Sequence, residues 1–184
     1  MKKILLFLLI SLVICQNLRK LITIQDVYNE LLEKHNSIRA KHKSPALTYS
    51  EAIAKIAQAT SERYLELGKI EQKNEYYNGE LLGENNYVCG GFTCFPPDID
   101  TIMGYWYYRE ETFFDYAKGK TKQNYSMYVG HFTQVVWRST KYIGCGFARG
   151  KWNKYKDAYY LNCKYYPAGN IKGSEVFNVL KPQS

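Results

Sequence analysis

The strongest constraint in this 184-residue sequence is a pair of cysteines placed symmetrically about a polar loop. Residues 143–148 and 158–165 have the composition of β-strands, and the loop between them is centred near Lys154. Cys145 and Cys163 each lie nine residues from that centre, so a hairpin would place them opposite each other, where a disulfide can form. The pattern therefore predicts two antiparallel strands joined by a covalent bond.

The N-terminus predicts export from the cell. A short basic start precedes an apolar run at residues 4–14, which is about the length of the apolar region of a signal peptide and too short to span a bilayer. We expect a signal peptide at residues 1–15, cleavage after Cys15, and secretion of residues 16–184 to the extracellular space. This length suits a single domain, with its core at about residues 26–180.

Export to an oxidising compartment favours disulfides, and the four cysteines that remain after cleavage suit two of them. Besides the hairpin pair, the glycines between Cys89 and Cys94 allow a short loop that a second disulfide can close. Asn124 begins the only Asn-X-Ser/Thr sequence in the chain. It is a candidate N-glycosylation site for a protein that follows a eukaryotic secretory route.

The net charge of +8 arises from lysines scattered through the chain. This distribution is typical of a solvated basic surface, and weak attraction to an anionic membrane surface is compatible with it. We expect no nucleic-acid partner, because the arginines are not clustered, no nucleic-acid-binding motif is present and the chain is exported. We expect the protein to be a monomer.

Three amphipathic segments predict helices, and they lie at residues 26–41, 50–68 and 98–113. Residues 69–86 and 117–127 have the polar composition of loops. Residues 132–137 are rich in β-branched and aromatic side chains, which is typical of a strand. Helices followed by strands within one domain predict an α+β sandwich.

Four motifs occur in order along the chain. They are His35-Asn36 with Arg39, His42 and Pro45; Gly83-Glu84-Asn85; residues 130–137 (GHFTQVVW) followed by Gly144-Cys145-Gly146; and residues 160–170 (YLNCKYYPAGN). Together they resemble the CAP superfamily, also called the SCP domain family, which comprises cysteine-rich secretory proteins, insect venom antigen 5 and plant pathogenesis-related class 1 proteins. The resemblance implies a three-layer α-β-α sandwich with a small antiparallel sheet, in which His35 and His42 are structural.

Members of that superfamily typically gather two histidines and two glutamates in one cleft, and the resemblance implies that Glu84 and His131 take two of these places. The second glutamate normally follows a tryptophan by three residues, where this chain has Arg109. Glu110 is the better candidate, because it lies eleven residues, about three helical turns, after Ile99 and so shares its apolar face. A buried carboxylate needs a partner: either the cleft, or Arg109 or a backbone group at its edge.

Some relatives bind zinc in this cleft, but the first histidine of the set has no counterpart here. The chain has no histidine between His42 and His131, and Lys73 or Tyr77 falls near the empty place. One imidazole and two carboxylates form a weak zinc site and suit other divalent cations no better. We therefore expect weak or absent binding of divalent cations and no resident cofactor.

Two classes of function follow. The favoured one is a non-enzymatic secreted binding module for a lipid, sterol, glycan or protein partner, since some relatives bind sterols or fatty acids and the 18 tyrosines suit the walls of an apolar groove. The alternative is a protease-like secreted hydrolase with His131 as general base, oriented by Glu84 or Glu110. No catalytic residue is assigned, because the cysteines suit disulfides and no serine occupies a nucleophile turn such as GxSxG.

Overall fold

The computed structural model describes residues 24–91, 94, 97–152 and 155–183. The predicted signal peptide and the predicted turn centre at Lys154 lie outside the described residues. The helical segments are α1 (Ile24–Lys41), α2 (Glu51–Leu67), α3 (Ile99–Met103), a π-helical turn (Gly104–Tyr108), α4 (Arg109–Glu111), α5 (Gly130–Val136) and α6 (Glu175–Asn178). The strands are β1 (Thr48–Tyr49), β2 (Tyr76–Tyr77), β3 (Glu80–Leu81), β4 (Gly83–Gly90), β5 (Phe114–Asp115), β6 (Lys120–Thr121), β7 (Tyr142–Trp152) and β8 (Tyr155–Tyr166).

The central sheet has four strands in the order β1-β7-β8-β4. The pairs β7–β8 and β8–β4 are antiparallel, and the two-residue β1 adds a parallel pair at one edge. Cys145 and Cys163 are direct partners across β7 and β8 and form a disulfide, with 4.1 Å between their Cα atoms. A second disulfide joins Cys89 to Cys94. Both predicted pairings are therefore confirmed.

Helix α2 covers one face of the sheet at very short range. A Cβ atom added to Gly144 would lie 2.2 Å from the backbone nitrogen of Ala54, and one added to Gly146 would lie 2.1 Å from that of Gln58. These glycines of β7 allow the helix backbone to rest directly on the strand. Because side chains alternate along a strand, the intervening Cys145 points into the core on the opposite face.

The main core lies between that opposite face and a second helical layer formed by α1, α3 and α5. Its buried apolar side chains include Leu31 of α1, Ile102 of α3, Phe132 of α5 and the Cys145–Cys163 disulfide of the sheet. The predicted three-layer α-β-α sandwich is thus confirmed. Within the described ranges, no helix is long and apolar enough to cross a membrane.

His35 is a structural residue of the core. Its ring bonds the carbonyl oxygen of Leu31 at 2.7 Å and the hydroxyl of Tyr165 at 2.8 Å. Burial lowers its pKa to about 4, so the ring is neutral at physiological pH. His42 makes equivalent contacts to the carbonyl of Leu180, at 2.6 Å, and the hydroxyl of Tyr107, at 2.9 Å. Both rings link α1 to distant parts of the chain.

Two local predictions were wrong. Residues 83–90, the first four of which were expected in a loop, form strand β4 at the edge of the sheet. The segment expected to be a strand at residues 132–137 is mostly helix α5. Its buried apolar residues Phe132, Val135 and Val136 follow the i, i+3, i+4 spacing of a helix, so this periodicity outweighs the β-branched composition.

Candidate functional site

The helical segment that carries Glu110 is widened by a π-helical turn. The amide of Arg109 donates to the carbonyl of Gly104, five residues earlier, so this turn holds one residue more than an α-helical turn. Glu110 faces inward four residues after Trp106, and Arg109 lies exposed. Glu110 is 5% exposed and therefore buried as predicted, on the same face as Ile99 and Trp106.

Glu110 contacts two neighbouring residues in the first turn of helix α5. One carboxylate oxygen lies 2.6 Å from Nδ1 of His131, and the other accepts a hydrogen bond from the backbone N–H of Phe132 at 2.9 Å. Helix α5 has no capping side chain of its own, so Glu110 supplies the anionic cap that its first turn needs. The contact with a backbone group and the contact with the cleft histidine are thus made by the same carboxylate.

This contact fixes the orientation of His131. The imidazole side chain is 31% exposed, whereas the carboxyl side chain of Glu110 is 7% exposed. The ring of Tyr128 meets the imidazole edge to face, with 5.0 Å between ring centroids. In the neutral ring, a proton on Nδ1 is donated to Glu110 and Nε2 is left as an acceptor. The free edge of His131 is therefore suited to bind a hydroxyl or amide group.

The Glu110–His131 pair lies at the wall of an open cleft of about 680 Å³, within the usual size range of ligand pockets. The cleft is lined by Ile70, Gln72, Asn86, Tyr87, Val88, Cys89, Tyr105, Trp106, Arg109, Glu110, Met127, Tyr128 and His131. Tyr105 and Tyr128 are 50% and 63% exposed. Tyr105 also packs against Tyr87, with 5.6 Å between centroids. The cleft thus has aromatic walls and a few polar groups.

Glu84 lies in an adjoining pocket, which shares Gln72 with the cleft. Its carboxylate accepts hydrogen bonds from Lys164, from Asn86 and, at 3.1 Å, from the hydroxyl of Tyr64. Burial alone would raise the pKa of Glu84, but the charge of Lys164 and the hydrogen bonds of Lys164 and the asparagine amides lower it below its ordinary value. The structure therefore pairs Glu110 with His131 and pairs Glu84 with Lys164.

Glu75 lies in the segment that lacks the expected histidine. Its carboxylate lies 2.6 Å from the ammonium of Lys164 and accepts a hydrogen bond from the hydroxyl of Thr60. Lys73 lines the same pocket, and Tyr77 packs against Tyr166 instead. The sequence analysis missed both Glu75 and Lys164, and only the pairing of β4 with β8 could have revealed them.

Zinc does not fit the residues present. Lys164 and Asn86 already contact the carboxylate of Glu84, and both carboxylate oxygens of Glu110 already have partners in helix α5. Among the residues that the structure describes, no group of three or more His, Cys, Asp or Glu side chains is arranged to hold a metal ion. The polar groups of the two pockets are therefore arranged for contacts with one another.

Asn124 lies exposed in the segment between β6 and α5. Its backbone φ of 72° is left-handed, a conformation that asparagine tolerates better than most residues. The exposed position gives a modifying enzyme access to the side chain, and its glycosylation stays a prediction.

Comparison with known proteins supports the motif analysis. Residues 32–165 match the model of the cysteine-rich secretory protein family, CAP. Protein PRY2 of Saccharomyces cerevisiae is 33% identical over 158 residues, which cover 84% of this chain and 41% of PRY2. Venom allergen 5 of Polistes fuscatus is 36% identical over 129 residues, which cover 69% of this chain and 58% of the allergen. The chain thus spans about half the length of these relatives.

A solved structure has the same fold. The crystal structure of NaASP2 with Zn²⁺ superposes with a TM-score of 0.54 at 22% sequence identity, over 84% of this chain and 85% of that one. Sequence motifs, the two disulfides, the three-layer architecture and the family match agree with one another. The chain therefore belongs to the CAP family of cysteine-rich secretory proteins.

Proposed function

We propose that this chain is a secreted, non-enzymatic binding protein and that its ligand is a small, largely apolar molecule such as a sterol or a fatty acid. The observation that carries the proposal is the open cleft of about 680 Å³, whose lining is mainly aromatic and aliphatic with a few polar groups. Pockets of this kind bind ligands that have an apolar body and a single polar end. The secretory family and the two disulfides support action outside the cell.

The exposed tyrosines supply the apolar contact surface. Tyr105 and Tyr128 hold their rings half exposed or more, and the contacts to Tyr87 and His131 limit their motion. A flat or extended apolar ligand can cover these rings at a small loss of side-chain entropy. Arg109 and the free edge of His131 lie in the lining and can bind its hydroxyl or carboxylate end.

Glu110 has a supporting role in this proposal. Both of its carboxylate oxygens already accept hydrogen bonds within the protein, and the residue is 5% exposed. It positions His131 and caps helix α5, and the ligand contacts His131. Variation at Glu110 should therefore change ligand affinity through the orientation of the imidazole.

A hydrolase is the second candidate, and the Glu110–His131 pair favours it, since a carboxylate that orients an imidazole is the usual arrangement of a general base. However, no hydrogen bond among the described residues joins the His131 ring to a serine, threonine or cysteine. A water molecule would have to act as the nucleophile. The binding role needs no such additional group.

Ligand titration of the purified chain tests the proposal. Cholesterol and palmitate are each titrated while tryptophan fluorescence is recorded, because Trp106 lines the cleft. We expect saturable binding of at least one of them, about fivefold weaker in Tyr105→Ala, since one aromatic contact contributes roughly 1 kcal/mol. Tyr108→Ala is the matched control, because Tyr108 is 48% exposed on the same helical turn but does not line the cleft.

Three results would contradict the proposal. These are the absence of saturable binding of either lipid, equal weakening by the Tyr105 and Tyr108 substitutions, and hydrolysis of ester or peptide substrates that is lost in His131→Ala. The last result would establish the hydrolase instead.

A further inference from the structure

Lys164 of β8 is a charged side chain buried almost completely, at 2% exposure. Its ammonium contacts the carboxylate of Glu84 and lies 2.6 Å from that of Glu75. These carboxylates are themselves 11% and 22% exposed. Arg63 brings a second positive charge, but its contact is with Glu75, at 3.6 Å. Among the ion pairs of the described residues, Lys164 is therefore the cation that pairs with Glu84 and offsets its negative charge.

The register of the sheet fixes this cluster. Glu84 of β4 and Lys164 of β8 are direct cross-strand partners, and so are Asn86 and Asn162 two residues further along. Since alternate residues share a face, these four polar side chains form one patch on the side covered by α2. The amide of Asn162 donates to the amide oxygen of Asn86 at 2.6 Å, and Asn86 donates to Glu84.

One oxygen acceptor of the patch has no proton donor in the described part of the chain. The amide oxygen of Asn162 is buried and has no hydrogen-bond partner among the described residues. With Lys164 in place, the ammonium offsets the negative charge of Glu84 and bridges to Glu75. Without it, the carboxylates of Glu75 and Glu84 would lie close together with only Arg63 nearby. Carboxylate and amide oxygens of this kind are the usual ligands of hard divalent cations.

We propose that Lys164 is an internal cation that excludes metal ions from this pocket, and that the pocket becomes a divalent-cation site when the ammonium is removed. A metal ion near Glu84 in the native chain would have to displace a buried ammonium and leave that charge unpaired. An unpaired buried charge is strongly unfavourable, so the displacement of Lys164 opposes metal binding at Glu84. The pocket is thus held together by Lys164 and requires no metal.

Calorimetric titration with ZnCl₂, MnCl₂ and CaCl₂ tests this, together with thermal unfolding at each metal concentration. For the native full chain we expect no stoichiometric binding and no change in Tm. For Lys164→Ala, which also makes room for an ion, we expect one divalent ion to bind at least tenfold tighter than to the native chain and to raise Tm. Adding Glu84→Gln to this variant should abolish binding. Lys151→Ala, at an exposed position of β7, is the matched control and should behave like the native chain.

Stoichiometric zinc binding by the native chain that is lost in Glu84→Gln would overturn the proposal. Lys164→Ala that folds but binds none of the three metals any tighter than the native chain would also overturn it. If Lys164→Ala does not fold alone, refolding from urea is compared with and without each metal, for this variant and for the near-isosteric Lys164→Met. Recovery that depends on a divalent metal supports the proposal, and failure of every metal to restore folding in both variants refutes it.

Discussion

Replacing Glu110 tests whether a single buried carboxylate both caps helix α5 and holds the cleft histidine. Alanine removes both contacts, the one to Nδ1 of His131 at 2.6 Å and the one from the N–H of Phe132 at 2.9 Å. Glutamine keeps the shape of the Glu110 side chain and removes its charge. Its amide oxygen can accept from Phe132, and its NH₂ group can donate to Nδ1 of His131 once the imidazole proton has moved to Nε2. The two substitutions therefore separate the loss of hydrogen bonds from the loss of charge.

The magnitudes follow from the two contacts. Loss of a helix cap costs about 1 kcal/mol, and loss of a hydrogen bond to a charged group costs about 1.5–3 kcal/mol. We therefore expect Glu110→Ala to lose about 3 kcal/mol of the free energy of unfolding. Glu110→Gln loses mainly the interaction of the charge with the helix end and with the imidazole, about 1 kcal/mol. For a domain of this size these values correspond to decreases in Tm of roughly 6–12 °C and 2–4 °C.

The measurement is thermal and urea unfolding near neutral pH with the disulfides intact, followed by near-ultraviolet circular dichroism. Tyr105→Ala is a suitable control, since Tyr105 lines the same cleft and makes no hydrogen bond to α5 among the described contacts. Equal losses for Ala and Gln would refute the assignment of two hydrogen bonds to Glu110. A loss below about 1 kcal/mol for Ala would show that the cap contributes nothing beyond an average substitution.

Three further predictions concern stability. Serine at both Cys145 and Cys163 should lower the free energy of unfolding in urea by about 3 kcal/mol, the value for a loop of this length. An unchanged urea midpoint would contradict the idea that this disulfide stabilises the fold by restricting the unfolded chain. Gly146→Ala should lower the free energy of unfolding by at least about 2 kcal/mol, because the added Cβ would meet the backbone of α2. Gly104→Ala is the control and should not be destabilising, because the space around Gly104 is open. The pKa of Glu84 is lower in the folded than in the unfolded chain, so its contribution is complete above about pH 4.5 and is lost as the pH falls through the folded value. Glu84→Gln should flatten this acid-side decline in Tm, and an unchanged pH profile would contradict the assignment.

Much of the fold could be predicted from local pattern. The cysteine spacing about the polar loop gave the register of β7 and β8, because antiparallel pairing of neighbouring segments depends only on distance along the chain from the turn. Ser50 and Gly68 marked the ends of α2, because each satisfies backbone groups of its own helix. Capping and turn geometry involve residues close in sequence, so they are visible in the sequence alone.

The helix that carries Glu110 shows where local periodicity stops being sufficient. The sequence indicated an inward carboxylate, and the residue is buried. The π-helical turn within this helix could not be foreseen, because an extra residue in a helical turn is retained only when packing against the core compensates for the weaker hydrogen bonds. Phe132, the partner of Glu110 in the first turn of α5, is also 22 residues away in sequence.

The chain's own amino-acid order therefore determined its family motifs, its two disulfides and the burial of Glu110. Strand β4, the helical state of α5 and the Glu75–Lys164–Glu84 cluster were decided by tertiary structure. A polar segment such as β4 becomes a strand only when a neighbouring strand supplies hydrogen-bond partners, and here those partners lie about 68 to 82 residues further along the chain. A lysine can be buried only where such a pairing brings carboxylates to it, so the identity of the cation in this pocket follows from nonlocal contacts.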